Sequence, residues 1–156
     1  MNKVIEVDFL PRKTDVAFSW LGSIGHSTQR RILIVDNDTN TTHLVKILLE
    51  KTGRYVVFEE NDCTKAHQTA RNFRPDLILL DVDMPNRHAR EIAAQIRADF
   101  ELQYTPIIFL TALAIAMQNE ANTGFQIDKP PFLAKPIDIE ELIEAIERSL
   151  PIHSGL

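Results

Sequence analysis

Pro75-Asp76-Leu77-Ile78-Leu79-Leu80-Asp81-Val82-Asp83-Met84-Pro85 is the stretch on which the fold turns. Four of the five residues from Asp76 to Leu80 are large and aliphatic. A continuous apolar run this short, bounded by turn residues, marks a strand buried on both faces, as in parallel sheets. Pro85 cannot continue the strand, so Asp81 is expected at its C-terminal tip, where the chain turns. Open parallel sheets bind ligands outside the carboxyl ends of their strands. A lone Asp there would read as a strand-end cap. Asp81 has company.

Upstream, Ile32-Leu33-Ile34-Val35 is a second buried-type strand and ends in Asp36-Asn37-Asp38. Thr39 or Asn40 is expected to cap the following helix through its side-chain oxygen. Leu44, Val45, Ile47, Leu48 and Leu49 give that helix an apolar stripe, and Gly53 suits its stop. Tyr55-Val56-Val57-Phe58 is a short strand; Asn61 or Asp62 caps the next helix, which buries Ala66, Ala70 and Phe73. Downstream, residues 88 to about 100 read as a helix with Ile92, Ala93 and Ile96 inward. Ile107-Ile108-Phe109-Leu110 is again fully apolar and ends at Thr111, and residues 112–122 read as a weakly charged helix. Phe132-Leu133-Ala134 forms a short last strand before Lys135-Pro136. Asp138 and Glu141 make a capping-box-like pair, and Ile139, Leu142, Ile143, Ile146 and Leu150 carry the final amphipathic helix.

Five strands alternating with five helices predict an α/β fold, a doubly wound five-stranded parallel sheet with helices on both faces. Crossovers in such sheets are right-handed, and because all five strands point the same way their C-terminal residues gather at one end. That end collects Asp36, Asn37 and Asp38, then Asp81 and Asp83, then Thr111 and Lys135. The domain is expected over residues 30–151, with 1–29 an extension and linker and 152–156 a tail. In the extension, Ile5, Val7 and Phe9 alternate with Glu6 and Asp8 as a short edge strand would. Ala17, Trp20, Leu21 and Ile24 then recur at helical spacing, before Gly22, Gly25, Ser27 and Thr28 loosen the chain. The extension reads either as a cover for the core or as an element for a partner or a homodimer.

The 156 residues suit one domain, and the apolar and charged fractions of 44% and 25% are ordinary for a globular protein. A net charge of -5, from 17 basic and 22 acidic residues, argues against a nucleic-acid surface. No apolar run reaches the ~18 residues of a membrane span, and the N-terminus lacks the apolar region of a secretory signal. The single cysteine, Cys63, cannot pair within the chain, which suits a reducing, cytoplasmic setting. The five histidines show no metal-ligand spacing.

Clustered carboxylates repel: two unit charges ~4 Å apart cost about 4 kcal/mol at an effective dielectric near 20. A cation relieves this, and oxygen-only ligands favour a hard ion such as Mg²⁺, which takes one or two carboxylates plus waters and phosphate oxygens. Lys135 adds a positive charge and Thr111 a hydroxyl. Such parts suit a nucleophilic Asp81 that forms an acyl phosphate, its charge offset by Mg²⁺ and Lys135.

Residues 31 to about 150 resemble the receiver domain of two-component response regulators. The matching pieces are Ile-Leu-Ile-Val-Asp36, Leu-Leu-Asp81-Val-Asp83-Met84-Pro85, Phe-Leu-Thr111-Ala112 and Ala-Lys135-Pro136, in the right order on the right strand tips. The resemblance implies a flavodoxin-like fold and an Asp81 that accepts phosphate from a histidine kinase or phosphotransfer protein. It further implies that Asp36, Asp81 and the Asp83 backbone carbonyl hold Mg²⁺. Thr111 and Lys135 would bind the phosphoryl group, and Thr111 with Phe132 would form the switch. No catalysis is implied beyond self-phosphorylation and autodephosphorylation. Three departures stand out. The family's second acid is Asn37 here, which weakens the Mg²⁺ site unless Asp38 or Asp83 compensates. Ala89 replaces a glycine common after the Met-Pro loop, which stiffens the start of that helix. The segment before the last strand carries a second Lys-Pro pair at Lys129; Lys135 is preferred because it directly follows an apolar strand.

Asn37 raises a competing reading, a degenerate receiver that works as a phosphorylation-independent interaction module. A phosphatase reading, from the likeness of Asp36-Asn37-Asp38 to the Asp-x-Asp of haloacid-dehalogenase-like enzymes, lacks the acidic pair those enzymes carry after their lysine. Only residues 151–156 follow the last helix, so the output is expected to be protein–protein contact with a downstream target.

Overall fold

The computed structural model describes residues 29–84, 89–112 and 132–152. The N-terminal strand and helix, nearly all of the helix expected over 112–122 and the second Lys-Pro pair lie outside them. The strands are β1 (Arg30–Val35), β2 (Tyr55–Glu60), β3 (Leu77–Asp81), β4 (Ile107–Thr111) and β5 (Phe132–Ala134). They form one sheet in the order β2-β1-β3-β4-β5, with every neighbouring pair parallel. The described helices are α1 (Thr39–Lys51), α2 (Ala66–Phe73), α3 (Ala89–Ala98) and α4 (Ile139–Ser149), with a 3-10 turn at Cys63–Lys65.

The apolar run at residues 32–35 and the strands β3 and β4 are buried at every position, whereas the edge strands β2 and β5 are buried only in part. Alternate residues feed two cores. Ile34, Leu79 and Leu110 meet α1 and α4 through Val45, Leu49, Leu142 and Ile146. Leu33, Leu80 and Phe109 meet α2 and α3 through Ala70, Ile92 and Ile96. From β1 the chain runs outward to β2, then returns to lay β3 on the other side of β1. That reversal makes the β1 and β3 tips the topological switch point, where a doubly wound sheet opens a crevice.

Three local expectations are corrected. Asp38, not Thr39 or Asn40, caps α1, by accepting the Asn40 N–H. Asp62 alone caps the helical segment after β2, at its 3-10 turn. On α1 only Val45 and Leu49 of the apolar stripe are buried; Leu44 and Ile47 stay 58% and 49% exposed. Five apolar residues within six positions wrap too much of the helix for one face to bury them all. Gly53, at φ +79, takes the left-handed conformation that ends the helix.

Along the outer edge of β2, the Val57 N–H donates to Glu50 Oε1 (2.9 Å) and the Val57 carbonyl accepts from Lys46 Nζ (2.6 Å). Lys46 and Glu50 also pair with each other at 2.9 Å, so one turn of α1 satisfies the middle of the edge strand. Tyr55, fully buried, donates its hydroxyl to Glu147 and so pins α4 to β2. Burial first, then the bond to Glu147, push the Tyr55 phenol up to about 12. A raised phenol stabilises the fold below its unfolded value and loses that contribution as pH climbs through about 12. Tyr55→Phe is therefore expected to lower the urea-unfolding free energy at neutral pH by about 1.5 kcal/mol, the worth of a hydrogen bond to a charged acceptor. An unchanged unfolding midpoint would contradict this.

Candidate functional site

Each buried strand delivers one polar residue at its tip. β1 runs straight into Asp36, which is 1% exposed. The Asp36 N–H continues the ladder to the Glu60 carbonyl, and its Oδ1 accepts the Asp38 N–H at 2.9 Å. Asp81 is the last residue of β3 and is 2% exposed. Lys135 leaves β5 with its backbone N–H bonded to the Thr111 carbonyl at 2.7 Å. Its side chain crosses the crevice, so that Nζ lies 2.6 Å from Asp36 Oδ2 and 3.0 Å from Asp81 Oδ1. Two carboxylates on separate strands thus share one ammonium.

The charges respond accordingly. Burial pushes the Asp81 carboxyl up; the Lys135 bond pulls it down, but the Asp36 charge adds to the rise, and the net position is above the ordinary 3.8. Burial alone would depress Lys135, yet its bonds to Asp36 and Asp81 outweigh it and hold the amine above 10.5. Asp81 Oδ1 takes Lys135 and the Asp83 N–H (3.3 Å), whereas Oδ2 has no hydrogen bond among the described residues.

Thr111 ends β4, fully buried, one residue beyond Leu110, the partner of Asp81 across the ladder. Phe132 is half-buried and stacks on Phe109 with ring centroids 5.4 Å apart. Asn37 is exposed. Both acids that could compensate for it carry hydrogen bonds of their own. The Asp38 carboxylate is engaged by the Thr41 hydroxyl (2.6 Å) and the Asn40 N–H (3.0 Å), and these two bonds hold it below the usual carboxylate range. Asp83 Oδ2 accepts the Ala112 N–H at 2.7 Å.

The Asp36 and Asp81 carboxylates, brought together on Lys135, are hard oxygen donors. Among the described residues no three His, Cys, Asp or Glu side chains converge into an all-protein metal cage. Such a set fits Mg²⁺, which prefers one or two carboxylates and keeps several waters. Asn61, expected from the sequence only as a possible helix cap, instead donates its Nδ2 to the Asp36 carbonyl at 2.7 Å and to Thr42 Oγ1 at 3.0 Å. Its place one residue past β2, at the same sheet end as Asp36, was the available signal.

The family model of the response regulator receiver domain matches residues 32–147. The DNA-binding dual master transcriptional regulator RpaA of Synechocystis sp. is 34% identical over 120 residues, 77% of this chain but 48% of that protein. The response regulator Rre1 of Synechocystis sp. is 32% identical over 119 residues, 76% of this chain and 50% of Rre1. The chain thus spans about half the length of these two relatives. The polar-differentiation response regulator DivK of Brucella anthropi is 30% identical over 121 residues, 78% of this chain and 96% of DivK. Among solved structures, the chemotaxis response regulator CheY4 of Vibrio cholerae matches with TM-score 0.69 and 27% identity, over 79% of this chain and 100% of that one. The receiver domain of the sensor histidine kinase PA1611 from Pseudomonas aeruginosa matches with TM-score 0.67 and 29% identity, over 78% and 97%. That neighbour is described with a magnesium ion coordinated in its active site cleft.

Proposed function

We propose that this chain, which belongs to the response regulator receiver family of two-component signalling, accepts a phosphoryl group on the Asp81 carboxylate and signals by protein–protein contact. The donor is the phosphohistidine of a histidine kinase or phosphotransfer protein. The observation that carries this reading is Lys135 Nζ, set 3.0 Å from Asp81 Oδ1 in a buried crevice while it also holds Asp36. Asp81 Oδ2 attacks phosphorus, the bond to the donor nitrogen breaks, and its electron pair leaves with the imidazole. Lys135 offsets the charge that arrives, and the Thr111 hydroxyl donates to a phosphoryl oxygen. Asp36, Asp81 and the Asp83 backbone carbonyl would hold Mg²⁺, with Asn37 as a weaker neutral ligand. When bound, the ion screens the carboxylates from the incoming oxygens.

A phosphoryl group adds close to two negative charges at this tip. Thr111 drawn toward it leaves space beside Phe132, which shifts the balance between two surface arrangements. Incubation of the chain with a small acyl phosphate and Mg²⁺, followed by mass spectrometry of peptides, tests the reading. Label mapped to Asp81 supports it, and an unlabelled wild type points to a degenerate receiver. The feature that favours this second reading is Asn37, with Asp38 and Asp83 both engaged elsewhere. Asn37→Asp is accordingly expected to tighten Mg²⁺ binding about tenfold, since a ligand charge is restored. Titration that gives the same affinity for both chains would remove Asn37 from the metal site.

A further inference from the structure

Asp83 holds an unusual position beside the crevice. It follows Asp81 by two residues, its N–H donates to Asp81 Oδ1, and its own carboxylate reaches across to the tip of β4. There Oδ2 accepts the Ala112 N–H at 2.7 Å, although both residues are exposed. Ala112 directly follows Thr111, so this amide stands at the mouth of the site. A backbone N–H that donates to one oxyanion can donate to another that comes within reach. A phosphoryl group on Asp81 would be the second anion beside it. One N–H cannot serve both fully, and two anions side by side repel.

We infer that the Asp83 carboxylate is a built-in competitor of the phosphoryl group, which must give up the Ala112 amide before Asp81 can be stably loaded. This rests on the phosphoacceptor reading and assigns Asp83 a positioning role that sets how readily the site fills. In the step considered, Asp81 Oδ2 forms its bond to the phosphorus of acetyl phosphate. The bond from that phosphorus to the acetate oxygen breaks, and the electron pair leaves with acetate. The Ala112 N–H then turns from Asp83 to a phosphoryl oxygen.

The test measures initial rates of labelling of the full chain by acetyl phosphate with Mg²⁺, for wild type, Asp83→Ala and Asp83→Asn. Asp83→Ala is expected to load about tenfold faster at low salt, because one anion at contact distance is gone. Asp83→Asn falls between, since its amide oxygen still accepts from Ala112 but carries no charge. High salt narrows all three rates together, because Asp83 is exposed and its charge is screened. The Ala112 amide proton also exchanges faster with solvent in Asp83→Ala, which reads the contact itself. An Asp83→Ala chain that takes label on Asp81 no faster than wild type, or keeps its Ala112 proton equally protected, overturns the competitor while the phosphoacceptor stands. A wild type that takes no label overturns both.

Discussion

Asp81→Asn is expected to abolish phosphoryl uptake, from full labelling by a small acyl phosphate to none, without loss of the fold. An amide oxygen is a poor nucleophile and forms no stable acyl phosphate, whereas its size and hydrogen-bonding reach match the carboxylate. The stability side follows from charge. In the wild type, two carboxylates at most 2% exposed face each other across a single ammonium, and burial with the Asp36 charge raises the Asp81 carboxyl. Removal of one charge leaves a balanced Asp36–Lys135 pair, so the thermal midpoint should stay level or rise. The measurement pairs intact mass with thermal unfolding. Label that persists on Asp81→Asn would move the acceptor elsewhere, and a collapsed midpoint would make the loss a folding defect.

Lys135→Met should be the most damaging single change to the described site. It strands two buried carboxylates, and loss of one partner from a buried ionic cluster costs about 3 kcal/mol. Labelling of Asp81 should fall tenfold or more, about the loss seen when one charge-stabilising donor is removed from a reacting centre. The pH dependence separates this cause from lost packing. A carboxyl raised in the folded state binds its proton more tightly there than in the unfolded chain. Its charge therefore costs stability above the folded value, and acid relieves the cost. Without Lys135 the Asp81 rise is larger, so the gap between wild type and Lys135→Met should be widest at neutral pH and shrink on acidification. Urea titrations along that range give the answer. A gap that stays constant would assign the effect to the lysine's methylenes.

The strand tips were legible because two-sided burial leaves a simple mark: runs such as Leu77 to Leu80 admit no polar residue until the strand ends. Once the sheet is parallel, Asp36, Asp81, Thr111 and Lys135 must share one end, and Lys135 does bridge the two acids. Lys135, unlike Lys129, directly follows an apolar run in the sequence, and that run is the strand β5. What stayed hidden were contacts between segments far apart in sequence. The Asp83 bond to Ala112 spans 29 residues and the Asn61 bond to Asp36 spans 25. Short polar side chains in loops choose partners by tertiary placement, which periodicity does not encode. The cap of α1 shows a related limit: Asp38, Thr39 and Asn40 all carry a side-chain oxygen suited to the role, and the path of the loop gives it to Asp38.

The Lys46–Glu50 pair has a consequence for how this molecule can meet another. A flanking ribbon from a second polypeptide would need the Val57 N–H and carbonyl as its first rungs, and both are taken by side chains of the chain itself. The sheet is thus closed to lateral growth at the middle of that side, a guard against runaway polymer formation. On that side a partner has to meet the chain through helix α1 and the loops around it rather than through the strand.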